Sequence, residues 1–427
     1  MQHISLRSRI IHLLVVATLA MYVGGFEYLP FQDLPQWTYH GYVMHQWLAH
    51  HDDLGGHFRL QPYLPPNSAA TLVIAALEGM LAPIVAGKIY LLITLVLCYS
   101  GSVRLMYVLG SRQEAVNILV AIGGCMTLDV QMGFVNFVFG LGVALHGSVY
   151  VLRHRSSALG FPLMLFLFAA YVSHFVAAAI LCSVLLVVCM REANVKLFKR
   201  SLLALLPSVV LFVQYCIAKD IPMGPTDGFS VTYAESVRTS IRTLPAVVMP
   251  VHRMKHVFEP STVFVWFDAV FAIGFWIGAV WMIVRSIRAR YWEFSAVIGA
   301  LALAIAIFSP AFLGGMVAPG VRFTYVGYLA IVAFIARTLR HPRSRRVLAF
   351  GLCTLTMVSA TILVWSTAVW NRELDAAPID TFGNYDTHGG SNPFTHFHFY
   401  QDIRNHTPRP VFRSGIITYV EDSRDMR

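Results

Sequence analysis

Long apolar runs, separated by short polar segments, extend over most of the chain. A helix of about 20 apolar residues is long enough to cross a lipid bilayer. The pattern therefore predicts an all-α polytopic membrane protein with about eleven transmembrane helices. These helices are expected near residues 10–26, 84–104, 113–127, 133–152, 159–172, 175–190, 201–218, 262–284, 293–309, 321–336 and 347–368.

The composition excludes several classes of protein. Of the 427 residues, 57% are hydrophobic and 13% are charged, and the mean hydropathy is +0.62. Soluble proteins carry roughly 25% charged residues, so an ordinary cytosolic enzyme, a disordered protein and a nucleic-acid-binding domain are excluded. The six cysteines all lie inside apolar runs, without the spacing of a metal site or a disulfide framework. They are Cys98, Cys125, Cys182, Cys189, Cys216 and Cys353.

The positions of Lys and Arg predict the orientation of the chain. With the N-terminus in the cytoplasm, the inward-facing segments carry 18 of these residues, whereas the outward loops before residue 320 carry 6. Cytoplasmic loops are enriched in Lys and Arg. We therefore expect a multi-pass inner-membrane protein with a cytoplasmic N-terminus and a periplasmic C-terminus. Residues 1–368 would form the transmembrane domain, and residues 369–427 a small periplasmic segment.

Two stretches need a special arrangement to fit this orientation. Residues 68–104 allow one net crossing, so we interpret 68–81 as a helix in the outer interface that ends before Pro83. Residues 159–190 start and end at inward basic clusters, which predicts a hairpin of two short helices. Ser173 and His174 would lie at its outer tip.

The first periplasmic loop, residues 27–67, carries the strongest catalytic candidate. An amphipathic helix is expected from Pro35 to about His50, and Asp33 immediately precedes it. Asp33 with Gln36 three residues later is typical of a capping box. Alternatively, Asp33 is an outward carboxylate at the membrane boundary that acts as a general base. Glu27, at the end of the first span, is a weaker second carboxylate.

Histidines are frequent in the same loop, but their spacing argues against a metal. His40, His45 and His50 follow one another at five-residue intervals, which does not align them on one helix face. We interpret them as polar residues of an interfacial helix, with His40 a candidate substrate contact. His396 and His398 in the tail receive the same interpretation. The sequence predicts no metal site and no cofactor, and it leaves a divalent cation open.

Ionisable and polar side chains inside apolar runs are the other candidates, because they are costly in a bilayer. Lys88 and Arg322 lie near the outer ends of their helices, where they could snorkel to the interface or bind the phosphate of a lipid-linked substrate. Asp268 is a candidate counter-ion. Asn136 and His174 are interpreted equally as interhelical hydrogen-bonding groups or as substrate contacts.

The order of five short motifs along the chain resembles that in the GT-C superfamily of membrane glycosyltransferases, specifically in its poorly characterised bacterial members. The resemblance covers residues 10 to about 340. The motifs are Asp33-Leu34-Pro35 before an amphipathic helix, Leu64-Pro65-Pro66-Asn67, Gly133-Phe134-Val135-Asn136-Phe137, Tyr171-Val172-Ser173-His174 and Arg322-Phe323-Thr324-Tyr325.

The resemblance implies roles for individual residues. In that superfamily an acidic residue of the first outer loop is the catalytic base, and the donors are polyprenyl-phosphate sugars. It therefore implies that Asp33 is the base and that Arg322 contacts the donor phosphate. One departure is that the well-known protein mannosyltransferases carry adjacent Asp and Glu, where this chain has Asp33-Leu34.

Two functions follow as hypotheses. The first is an inverting glycosyltransferase that moves a sugar from a polyprenyl-phosphate-linked donor to a glycan, lipid or protein at the outer face of the inner membrane. The second is a non-catalytic transporter or lipid-binding scaffold, for which paired charges deep in the bundle and a repeat would be expected. The expected partners are the lipid-linked sugar and membrane lipid, with no nucleic acid.

Overall fold

The computed structural model describes residues 6–29, 31, 33–49, 58–154, 160–218, 231–232, 241, 244–245, 247–248, 262–310, 312–313, 316–317, 319–376 and 417–419. Its helices are α1 Leu6–Gly25, α2 Leu34–Leu48, α3 Ala69–Glu78, α4 Pro83–Val108, α5 Glu114–Gly124, α6 Leu128–Gln131, α7 Val135–Arg153, α8 Gly160–Ser173, α9 Phe175–Glu192, α10 Val195–Ala218, α11 Thr262–Ala289, α12 Phe294–Phe308, α13 Thr324–Thr338 and α14 Pro342–Ala376. A 3-10 turn, Pro319–Phe323, leads into α13.

Short strands join the loops outside the helix bundle. They are β1 Phe58–Leu60, β2 Val231–Thr232, β3 Phe312–Leu313, β4 Met316–Val317 and β5 Ile417–Tyr419. β1 pairs with β5 in antiparallel register, and β2, β3 and β4 form a second antiparallel sheet. The first loop and the C-terminal tail therefore lie on the same side of the bundle.

Each predicted apolar run coincides with a helix, which confirms the all-α polytopic class. Over the described ranges, nine helical segments are long and apolar enough to cross a membrane. Two predicted spans, α8 and α12, are shorter apolar helices, as is the interfacial α3. The count of eleven crossings therefore stays a prediction.

The centre of the bundle is formed by α7 and α13, which are buried over most of their length. α4 packs along α7, where the glycines allow close approach: a Cβ on Gly142 would contact the backbone and side chain of Leu97. In contrast, α1, α10 and α14 are mostly exposed and apolar, as expected for helices that face lipid. The core is thus helix against helix, with lipid at the rim.

Loops that the predicted orientation assigns to one side do lie together. At the end predicted to be cytoplasmic, Arg191 donates to the carbonyl of Trp292 at 2.5 Å, and Arg337 forms an ion pair with Glu293 at 3.1 Å. At the other end, the N–H of Ser68 donates to the carbonyl of Val172 at 2.9 Å. These contacts support the assignment of each loop to one or the other end of the bundle. Which end faces the cytoplasm stays a prediction.

The first-loop helix differs from the interfacial helix expected from the sequence. α2 packs against α3 and α4, and every residue from Leu34 to Met44 is buried. Close packing is possible because a Cβ on Gly41 would meet Ile74, and one on Gly87 would meet Thr38. The interpretation of α2 as a helix with an exposed polar face is therefore wrong for its first three turns, because α3 covers that face.

The appended C-terminal segment is described only in part. α14 continues to Ala376, and β5 pairs with the first loop. The remaining tail residues, including His396 and His398, lie outside the described residues, as do His50, His51, Asp52, Asp53 and His57 of the first loop. The domain boundary at residue 369 stays a prediction.

Candidate functional site

Arg322 is the buried cation of the candidate site. It lies on the 3-10 turn before α13, and its side chain is 9% exposed. Its guanidinium Nη1 donates toward Nε2 of His174 at 2.8 Å. A guanidinium keeps its charge in proteins, so this turn presents a fixed positive charge at the end of the bundle that is predicted to face outward.

The motif at the start of α7 forms the aromatic wall around that charge. The guanidinium carbon lies 4.9 Å from the centre of the Phe134 ring and 5.2 Å from that of Phe137. A cation over an aromatic face is stabilised by the ring quadrupole. The Phe137 ring also meets the His174 ring edge-on, with centroids 5.4 Å apart. Sequence motifs that are far apart in the chain therefore form one cluster.

His174 is the neutral partner in this cluster. It occupies the N-cap of α9, where its Nδ1 accepts from the N–H of Val176 at 3.1 Å. Burial, followed by the nearby Arg322 charge, lowers the pKa of His174 well below its usual value. A neutral imidazole accepts at one ring nitrogen only, so the contacts to Val176 and to Arg322 are not both full hydrogen bonds. A guanidinium has five N–H donors, so Arg322 keeps hydrogen-bonding capacity for an anionic acceptor.

Asp33 is fixed against the start of the same motif. Its N–H donates to the carbonyl of Met132 at 3.2 Å, and a Cβ on Gly133 would collide with the Asp33 amide nitrogen. Asp33 occupies the N-cap position of α2 but makes no side-chain cap hydrogen bond. The capping-box interpretation is therefore wrong, because backbone packing against residues 132–133, rather than the side chain, holds this turn.

Two carboxylates act electrostatically on Arg322. They are Asp33 and Asp129, which comes from the short helix α6. Asp129 is buried, and its carbonyl accepts from the N–H of Phe134 at 3.1 Å. Sequence analysis missed Asp129, although a carboxylate between two apolar runs was a usable signal. Asp129 supplies the negative charge that had been assigned to Asp268, whose side chain lies outside the described residues.

Asn136 joins three of the sequence motifs. Its Oδ1 accepts from the N–H of Ala70 in the first turn of α3 at 2.8 Å, which satisfies a helix N-terminus from another segment. The adjacent N–H of Ser68 donates to Val172. The interhelical role of Asn136 is therefore observed. Its buried Nδ2 has no hydrogen-bond partner among the described residues.

Lys88 is bound at the end of α1. Its Nζ donates to the carbonyl of Phe26 at 2.6 Å, just beyond α1, and interacts with the charge of Glu27. Lys88 therefore binds a carbonyl that the end of α1 leaves free. A phosphate site shared by Lys88 and Arg322 stays a prediction.

His40 is sealed within the packing of the first-loop helix. Its side chain is 0% exposed, it meets Trp37 edge-on at 5.1 Å, and neither ring nitrogen has a partner in the described ranges. Burial lowers the pKa of His40 to about 4. The expectation of an accessible polar residue is therefore wrong for His40. Within the described residues, no three His, Cys, Asp or Glu side chains are grouped to hold a metal.

A small apolar groove adjoins the cluster. It lies between α9, α12 and the start of α13, with Ile180, Val184, Ile298, Leu301 and Phe323 among its lining residues. Its volume is about 10 Å³, about the space that one water molecule occupies. Phe323, at one end of the groove, follows Arg322 in the chain.

Comparisons with known proteins give one structural likeness. No protein-family model matches the chain, and no curated protein matches it. Among solved structures, the chain is similar to the "Crystal Structure of ArnT from Cupriavidus metallidurans in the apo state", with 13% identity and a TM-score of 0.48. The match covers 86% of this chain and 77% of the other. A superposition this loose transfers neither residue roles nor an activity.

Proposed function

We propose that this protein is an inverting glycosyltransferase of the GT-C type, which uses a polyprenyl-phosphate-linked sugar as donor. The acceptor would be a hydroxyl group of a glycan, lipid or protein at the outer face of the inner membrane. The observation that carries the proposal is the buried Arg322, which interacts electrostatically with Asp33 of the first loop at one end of the bundle. Such a pair offers a proton acceptor and a phosphate-binding cation to one reaction centre.

In the proposed reaction, the Asp33 carboxylate removes the proton of the acceptor hydroxyl. The oxygen attacks the anomeric carbon from the side opposite the phosphate, so a new C–O bond forms as the sugar–phosphate C–O bond breaks with inversion. The electron pair of the broken bond stays on the polyprenyl phosphate. The Arg322 guanidinium stabilises the growing negative charge, an interaction that strengthens in the transition state.

The surroundings of Arg322 support an anionic lipid as the substrate. The neutral His174 leaves the cation without full charge compensation from its nearest partner, and the phenylalanine rings limit access of water. A lipid-linked donor also accounts for a site built at the ends of membrane helices.

The test is transfer from a panel of polyprenyl-phosphate sugars by Asp33→Asn in reconstituted membranes. Because the Asp33 charge also acts on the buried Arg322, the melting temperature of the variant is measured beside the transfer rate, and only protein that remains folded is compared with the parent chain. Loss of a general base should lower the transfer rate by about 10²- to 10⁴-fold. The matched control is Glu192→Gln, an exposed carboxylate at the opposite end of the bundle.

The outcomes separate the competing hypotheses. Full activity of Asp33→Asn would remove Asp33 from the reaction, and Glu27→Gln would then show whether the second carboxylate is the base. If the parent chain transfers no sugar from any donor in the panel, the transferase is refuted and the transporter or scaffold hypothesis is favoured.

A further inference from the structure

Three tyrosines from separate segments converge beside the candidate site. Tyr63 follows β1 in the first loop, Tyr171 lies in the last turn of α8, and Tyr215 lies near the end of α10. The rings of Tyr63 and Tyr215 meet edge-to-face with centroids 6.1 Å apart. The Tyr171 hydroxyl lies within electrostatic reach of both other phenols. We refer to these three residues as the tyrosine cluster.

The cluster combines a packed ring with two partly accessible ones. The Tyr171 ring packs with Ala69 and Val172 and is 2% exposed, yet its hydroxyl has no hydrogen-bond partner within the described part of the chain. Tyr63 and Tyr215 are half-buried, so their rings remain partly accessible. A buried hydroxyl without a partner is costly, and a ligand that reaches it would remove that cost.

The tyrosine cluster and the candidate site share the end of α8. Tyr171 lies in the last turn of this helix, which ends at Ser173, and His174, the partner of Arg322, follows directly. Val172, between them in the chain, accepts from the N–H of Ser68 through its carbonyl, which ties the end of α8 to the start of α3. The end of α8 therefore connects the cluster to the proposed reaction centre through three residues of chain.

We propose that the tyrosine cluster is a saccharide-binding site that receives the acceptor; its assignment to the acceptor rests on the proposed transferase function. Aromatic faces pack against the C–H face of a pyranose, and phenol hydroxyls both donate to and accept from sugar hydroxyls. A pocket of aromatic surface with a few convergent polar groups is typical of small-molecule sites. The alternative is an aromatic belt at the membrane interface. The tyrosines of such a belt direct their hydroxyl groups to water or lipid headgroups, whereas the Tyr171 hydroxyl is buried.

The experiment measures binding without any transfer reaction. The full chain in nanodiscs is titrated with methyl glycosides of glucose, galactose, mannose and N-acetylglucosamine, and contacts are read by saturation-transfer difference NMR. Tyr63→Ala and Tyr215→Ala should each weaken binding about fivefold or more, because a ring contact is lost. Tyr171→Phe keeps the ring and removes the buried hydroxyl, so binding should weaken about three- to tenfold.

Controls keep the result interpretable if a variant is damaged. Tyr291→Ala removes an exposed tyrosine at the opposite end of the bundle and should bind like the parent chain. If Tyr215→Ala loses its thermal transition, Tyr215→Leu replaces it, since Leu preserves apolar volume without an aromatic face.

The proposal is overturned if no methyl glycoside binds the parent chain, or if Tyr63→Ala, Tyr215→Ala and Tyr171→Phe all bind like the parent. A headgroup belt would give that second result. Free glycosides need no lipid-linked donor, so failure here is distinguishable from failure of the transferase. A chain that binds glycosides through the cluster but transfers no sugar keeps the site and refutes the transferase.

Discussion

Gly133 and Asp33 are in direct backbone contact, although they belong to different outer segments. A Cβ on Gly133 would lie inside the contact distance of the Asp33 amide nitrogen and 2.8 Å from that of Leu34. Gly133 also has a φ of +71°, a conformation that side chains with a Cβ rarely adopt. The turn that presents Asp33 is therefore shaped by a glycine a hundred residues later in the chain.

Gly133→Ala should displace that turn and reduce both stability and transfer. The left-handed conformation alone should cost about 1–2 kcal/mol for alanine, and the clash with the Asp33 backbone adds to it. The comparison is Gly274→Ala, where a Cβ has nothing within 4 Å and no loss is expected. Equal melting temperatures for the two variants would contradict the observed contact.

Asp129 should be coupled energetically to Arg322. Asp129→Asn leaves the buried cation with less charge compensation, so the free energy of unfolding should fall. The double variant, Asp129→Asn with Arg322→Gln, should lose less free energy of unfolding than the two single variants lose together. The measurement is a double-mutant cycle on unfolding in detergent, with a coupling of about 0.5–3 kcal/mol expected. Strict additivity would mean that the two charges do not interact.

His40 should make the first-loop helix sensitive to acid. Its pKa is about 4 in the folded chain and 6.5 when exposed, so below pH 6.5 the unfolded state binds the proton more readily. Stability linked to His40 is therefore complete above pH 6.5 and is lost as the pH falls toward 4. Between pH 7.5 and 5 the loss should be about 2 kcal/mol.

The check on His40 compares melting temperatures at the two pH values. His40→Leu cannot bind a proton, so its decrease in melting temperature should be smaller than that of the parent chain. His341→Leu, at an exposed position, serves as the control. A parent and a His40→Leu variant with the same pH dependence would show that protonation of this residue is not linked to folding.

Strands β1 and β5 offer a test of both register and orientation. Arg59 and Thr418 are directly paired, and paired residues in antiparallel strands are about 4.5–5.5 Å apart at Cα, which suits a disulfide. Cysteines at these two positions, with the six native cysteines replaced, should crosslink in cells without added oxidant if the pair is periplasmic.

The control for that crosslink shifts the register by one residue. Arg59→Cys with Ile417→Cys should stay reduced, because adjacent strand positions point to opposite faces. A crosslink that is absent from both pairs would count against the strand pairing or the periplasmic location. A crosslink of equal yield in both pairs would count against the register.

The helices could be predicted from the sequence because each apolar run is a local signal that a bilayer turns into a helix. The burial of residues in the first loop, 27–67, could not be predicted in this way. The amphipathic pattern of α2 describes one helix in isolation, whereas α2 packs against α3 and α4 and His40 is fully buried. The pattern therefore predicted the helix correctly, but it predicted an exposed polar face where the structure has a buried one.

The sequence predicted which residues lie at the same end of the bundle, but not which of them contact one another. Topology assigned Asp33, His174 and Arg322 to one side of the membrane, because an odd number of predicted crossings precedes each. It could not show that Lys88 binds the carbonyl of Phe26, since that contact depends on where α1 ends in space. Asp129 was missed because its burial beside Arg322 depends on how the segment between two apolar runs packs, which no local pattern shows.

The pairing of β1 with β5 also has a consequence for biosynthesis. β1 is translated after two helices, α1 and α2, whereas β5 follows α14. The first loop therefore gains this backbone partner only after the whole bundle has been made and the tail has reached the same side. Contacts between such distant segments form late, because a long chain must first be closed into a loop. Closure of this two-stranded sheet would then mark the completion of membrane insertion.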